Sequence, residues 1–128
     1  MDLISAPQNF TSGWVNLGEA VDMTDATRAA IYLDVDINDT LNPRIRAVGK
    51  INSKDVTQLY PFPIKNVGAS SAALEAELFE FNVDADQKMI LEVETKGLVN
   101  FLQFQIQAGT VGATAGQIES AYLIKSSY

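Results

Sequence analysis

The chain has 128 residues, 47% of them hydrophobic and 20% charged, with 9 Lys and Arg against 16 Asp and Glu for a net charge of -7. That length suits one domain with a buried core and leaves no room for a second, and the composition is that of a globular protein rather than a disordered one. The acidic surplus argues against nucleic acid and anionic membrane as partners, and with neither His nor Cys the Ser-His and Cys-His nucleophiles, imidazole and thiolate metal sites and disulfides are excluded.

The start, Met1-Asp2-Leu3-Ile4-Ser5-Ala6-Pro7, has neither the basic opening nor the apolar run of a signal peptide, so the product is expected to stay in the cytoplasm that makes it. Residues 1–12 read as an extended arm, and a short strand is expected over 13–17. From 31 to 38 the pattern alternates strictly: Ile31, Leu33, Val35 and Ile37 point one way and Tyr32, Asp34, Asp36 and Asn38 the other. A second alternating run over 44–51 sets Ile45, Ala47, Gly49 and Ile51 inward and Arg44, Arg46, Val48 and Lys50 outward. The turn-rich link between them predicts a hairpin with Asp36 opposite Arg46 and Asn38 opposite Arg44.

Strands are expected over 56–64 and 74–83. Tyr60-Pro61-Phe62-Pro63 belongs at a sheet edge because its prolines lack the ladder donor, and 74–78 reads equally as a helical turn. A second hairpin is predicted where Met89, Leu91 and Val93 alternate with Ile90, Glu92 and Glu94 and Lys96-Gly97 turns the chain into 98–108. There Met89 would meet Phe104, Leu91 would meet Leu102, and Ile90 and Glu92 would face Gln103 and Phe101 outside. A last strand covers 118–125. The uncharged stretch 97–118 is too broken by Asn100, the glutamines and Gly109, Gly112 and Gly116 to be a membrane span.

Seven or eight strands without βα alternation predict an all-β domain spanning 1–128. It is expected to be an antiparallel two-sheet sandwich, jelly-roll or immunoglobulin-like.

No carboxylate pair stands at a spacing that general acid and base work requires, so the chain is read as a non-enzyme with no cofactor. Asp34-Val35-Asp36-Ile37-Asn38-Asp39 opens like a calcium loop, but Asp39 replaces the turn glycine and Ile45 stands where a bidentate Glu belongs. The acids read first as a charge ladder with Arg44 and Arg46. Calcium stays open because strand-end acidic clusters bind it in sandwiches, and Asp34, Asp36 and Asp39 joined by Asp84 and Asp86 would be the best metal candidate if folding brings the two loops together. The glycine-rich run 109–116 lacks the Gly-Lys-Ser/Thr of a phosphate loop, and reads as a plain connection or a close backbone contact with a neighbouring subunit. Val99, Phe101, Gln103, Gln105 and Gln107 form a neutral strip suited to subunit contact. Among the aromatics Trp14, Tyr32, Tyr60, Phe62 and Tyr122, Trp14 and Tyr32 are the residues on which a sugar would stack.

Two passages carry a resemblance. One runs Arg28-Ala29-Ala30-Ile31-Tyr32-Leu33-Asp34-Val35-Asp36-Ile37-Asn38-Asp39 and on through Asn42-Pro43-Arg44-Ile45-Arg46-Ala47. The other runs Phe104-Gln105-Ile106-Gln107-Ala108-Gly109-Thr110-Val111-Gly112-Ala113 and on to Ala121-Tyr122. Together they resemble small β-sandwich proteins encoded among the structural genes of tailed bacteriophages. The resemblance implies a virion component, a capsid decoration or cement protein or a neck- or fibre-associated module, that self-associates and docks on capsid, neck or tail proteins. It supplies no catalytic residue. The competing expectation is a carbohydrate-binding module, possibly calcium-stabilised.

Overall fold

Alternating side chains become strands because the sheet's period of two sends every second residue to one face. The computed structural model describes residues 1–55, 59–67 and 77–127, and these contain strands and no helix. In chain order the strands are β1 (Gln8–Asn9), β2 (Val15–Asn16), β3 (Val21–Asp22), β4 (Arg28–Asp36), β5 (Arg44–Lys50), β6 (Tyr60–Phe62), β7 (Ile64–Asn66), β8 (Glu77–Leu78), β9 (Phe81–Asn82), β10 (Gln87–Glu94), β11 (Phe101–Gln107) and β12 (Gln117–Ser126). The count exceeds seven or eight because seven of the twelve are fragments of two or three residues along the sheet edges. Residues 56–58, and 74–76 with most of the alternative helical turn, lie outside the described residues.

The strands form two antiparallel sheets, one ordered β1-β12-β4-β10-β7-β8 and the other β2-β11-β5-β6, with β3 also on β11 and β9 on β5. Between them lies one core. Ile31, Leu33 and Val35 of β4, Met89, Leu91 and Val93 of β10, and Ile118, Ala121 and Leu123 of β12 face Ile45 and Ala47 of β5 and Leu102, Phe104 and Ile106 of β11. Phe10, Leu17, Val21, Met23, Ile64 and Val83 close its rim. Each fully buried large side chain here contributes roughly 1.5–3 kcal/mol of transfer free energy.

Within the long strands the inward parity is as expected, but Ile51, expected inward, lies past the end of β5 and is exposed. Val48 and Lys50, expected to face solvent, are buried, Val48 between Gln103 of β11 and Pro61 of β6. Both predicted hairpins are overturned. β4 and β5 belong to different sheets, as do β10 and β11. Arg46 therefore lies opposite Gln105 and Arg44 opposite Gln107, not Asp36 and Asn38. Met89 lies opposite Leu33 and Ile90 opposite Tyr32, while Phe104 pairs with Ala47 and Leu102 with Gly49. The links 37–43 and 95–100 have the reach to step across the ~10 Å between packed sheets, so they serve as crossovers. The Lys96-Gly97 turn itself is present. Both residues have positive φ, 56° and 73°, and the Leu98 amide donates to the Thr95 carbonyl at 3.0 Å, but the turn leads out of one sheet and into the other.

The arm is also ordered as an edge. The Leu3 amide donates to the Ala121 carbonyl and the Leu123 amide to the Met1 carbonyl, each at 2.8 Å, and β1 pairs with Gln117 and Ile118. Phe10 is its buried anchor.

Candidate contact surface

The two outer faces differ in what the chain leaves bare. On the β11–β5 sheet the outward side chains are consumed internally. Arg46 Nε donates to Gln105 Oε1 at 2.8 Å, and Gln105 Nε2 donates on to Asn16 Oδ1 at 2.9 Å. One row along, an Arg44 N–H donates to Gln107 Oε1 at 2.7 Å, Gln107 Nε2 donates to the Ser12 carbonyl, and Arg44 also pairs with Glu80 at 3.1 Å. Trp14 lies over this ladder with its ring centroid 4.1 Å from the Arg46 guanidinium carbon and 5.8 Å from that of Arg44, a cation–π arrangement. Burial pulls the Arg46 guanidinium below its ordinary value, partly offset by Glu80, yet it stays charged at any physiological pH.

The neutral strip expected on this face is accordingly not an open surface. Gln103 and Gln105 are buried, and Gln103 Nε2 donates to the carbonyls of Gly18 and Phe104. Val99 is buried too, beside Gly49 and off the glutamine row, while Phe101 and Gln107 are half-buried. The chain itself, through residues 12–18, covers much of what the alternation alone left facing solvent.

The outer face of the β12-β4-β10 sheet is open. Registered pairs set Ile90, Tyr32 and Tyr122 in one row across three adjacent strands, with Lys88, Asp34 and Ser120 in the row on one side and Glu92, Ala30 and Ile124 in the row on the other. Tyr32, Tyr122 and Ile124 are 42%, 48% and 46% exposed, far above what rings in a covered row would show. Tyr32, Asp34, Lys88, Ile90, Ser120 and Tyr122 line a shallow groove of about 410 Å³. One irregularity aims Tyr122 outward. The register of β12 on β4 shifts between Ile118 and Ser120, so Glu119 is an extra residue. Without this bulge Tyr122 would share the inward parity of Ile118 and point into the core.

Trp14 and Tyr32, the expected sugar-stacking residues, therefore stand on opposite faces of the sandwich. The ring beside Tyr32 is Tyr122.

The acidic loops do come together, since the Ile37 amide donates to Asp86 Oδ1 at 2.8 Å. Their carboxylates serve the turns instead of converging. Asp36 Oδ1 accepts from the Asn38 amide at 3.1 Å and Asp39 Oδ2 from the Thr114 amide at 3.2 Å. Asp34 lies on the open face opposite Lys88, and Asp84 is exposed. Among the described residues no three acidic side chains are grouped closely enough to hold a metal ion. The glycine-rich run is a close backbone contact, but with its own chain. A Cβ at Gly112 would meet Asp39 at 2.7 Å and one at Gly116 the Ile37 carbonyl at 2.7 Å.

Compared with known proteins, the chain matches no family model, no curated sequence and no solved structure.

Proposed function

We propose that this chain is a non-enzymatic contact module of a virus particle, a decoration or cement component that docks on capsid, neck or tail proteins through the open face around Tyr32 and Tyr122. The observation that supports this reading is the half-exposed row Ile90–Tyr32–Tyr122 with Ile124 beside it, on a domain whose other sheet spends its outward side chains on itself. Rings half open to water and ringed by polar groups suit the centre and rim of a protein contact. The phage attribution comes from the sequence resemblance alone.

Co-sedimentation with purified tailed-phage particles from the source that encodes the chain tests the proposal. The unmodified chain is expected to pellet with them, and Tyr32→Ala with Tyr122→Ala to weaken binding at least about tenfold, the scale of losing a contact hot spot. A chain that stays in the supernatant with capsids, necks and tails alike sinks the proposal.

The adjacency of the two tyrosines also favours a second reading, stacking on sugar rings in a carbohydrate-binding module. Glycan binding that disappears with Tyr122→Ala but survives Trp14→Ala would move the assignment there.

A further inference from the structure

Four charges of the open face, Lys88, Glu92, Asp36 and Arg28, stand in an order that matches its own reverse, while Asp34 and Glu94 lie outside that match. Along β10, Lys88 stands one row to one side of Ile90 and Glu92 one row to the other. Along β4, Asp36 stands two rows to one side of Tyr32 and Arg28 two rows to the other. We propose that a second copy of this chain packs face to face on this surface, related by a twofold axis lying along the Ile90–Tyr32–Tyr122 row. The inference rests on the reading of this face as a contact surface and names one partner for it.

That axis returns each strand onto itself with its rows reversed. Lys88 of one copy then faces Glu92 of the other, and Asp36 faces Arg28, each twice. The three central side chains meet their own counterparts, and Ser120 faces Ile124. The alternative in-plane axis, along the strands, sets Lys88 against Ser120 and Glu92 against Ile124 and pairs no charges. An isologous contact requires this kind of self-complementarity, because residue i must suit residue j and j must suit i. The pairs cannot form within one copy, since residues four apart on a strand lie about 13 Å from each other. Arg28 and Glu92 already touch at 3.8 Å in the single chain, so across the axis their charges join those of Lys88 and Asp36 in a network around the apolar row. The patch is about 14 Å wide and 27 Å long from strand and residue spacings. That is roughly 400 Å² on each copy, about half of the ~800 Å² per partner in a stable interface, so the dimer is a weak, concentration-dependent one.

Charge reversal gives the test. Sedimentation velocity of the full chain over a micromolar concentration series is expected to show a monomer–dimer equilibrium. Lys88→Glu alone and Glu92→Lys alone each juxtapose like charges twice in a homodimer, and each is expected to weaken it at least about tenfold. Mixing the two variants restores opposite charges at both places in the heterodimer, so the mixture is expected to associate to within about threefold of the unmodified chain. Tyr122→Ser, which removes one of the two rings of the apolar row and leaves the charges alone, is expected to be monomeric, and circular dichroism melting establishes that each variant is folded. An unmodified chain that is monomeric throughout the series, or a mixture no more associated than its components, overturns the proposal. If the chain is monomeric while the tyrosine variants still lose particle binding, the self-contact falls and the docking function stands.

Discussion

At Gly49 the core leaves space for a hydrogen and nothing larger. A Cβ there would lie 2.5 Å from Phe62 Cε2 and 2.8 Å from a Val99 methyl, so the edge strand β6 and the approach to β11 both depend on this residue. Gly49→Ala is expected to destabilise the domain by about 1–3 kcal/mol through overpacking, read as a lower denaturant midpoint at unchanged slope. A pH effect is built in at Asp22, where the Thr24 hydroxyl at 2.6 Å and the Thr24 amide at 2.9 Å donate to one carboxylate oxygen. These bonds hold the Asp22 carboxyl below its ordinary value. Because the folded group titrates lower than the unfolded one, whatever it adds to stability is present above the ordinary carboxylate range and is lost as pH falls through the depressed value. Thr24→Ala is expected to raise the Asp22 titration midpoint towards that of a free aspartate, measured by NMR on the side-chain carboxyl.

Among the elements, β12 shows how one residue decides which side chains the molecule presents. Ile118 and Leu123 are both buried although an odd number of steps separates them, and the bulge at Glu119 absorbs the difference. Deleting Glu119 is expected either to slip the strand, driving Tyr122 inward and Leu123 to the surface, or to break the β12 pairing. Either way the melting temperature should fall by about 7 °C or more, as expected for about 2 kcal/mol or more in a domain of this size. The bulge was not legible in the sequence, because Ile118, Tyr122 and Ile124 fit an inward set at even positions as well as Ala121 and Leu123 fit one at odd positions. For the same reason Tyr122 was an aromatic among several until its register placed it beside Tyr32. What the sequence did make legible was the parity of β4, β5, β10 and β11, since local alternation alone sets it. The choice between hairpin and crossover was not legible. Either link length permits both routes, and either arrangement buries the same apolar residues, so only the packing of the whole decides.

Taken as a whole, the sandwich builds its body by passing the chain repeatedly from one sheet to the other: β4 to β5, β10 to β11, then β11 to β12. Nearly all its stabilising pairings thus join residues far apart in sequence, such as Gln8 with Ile118 and Gln87 with Val35. Loop closure must precede most of the gain, so refolding is expected in the millisecond-to-second range typical of such topologies, about 10⁰ to 10³ per second by stopped-flow fluorescence of Trp14. That ring is a suitable reporter because its stacking on Arg46 requires residues 12–18 and β5 to have met.

The molecule's loops differ as places to splice in foreign sequence. The glycine-rich run 109–116 looks permissive, yet it is pinned against residues 36–42 wherever a glycine stands. The tight corner at Lys96-Gly97 has nothing within 4 Å of the Gly97 Cβ direction, and Leu98 beyond it is exposed. A grafted epitope is therefore better carried between Lys96 and Gly97, where its cost falls on a single turn while both sheets keep their register.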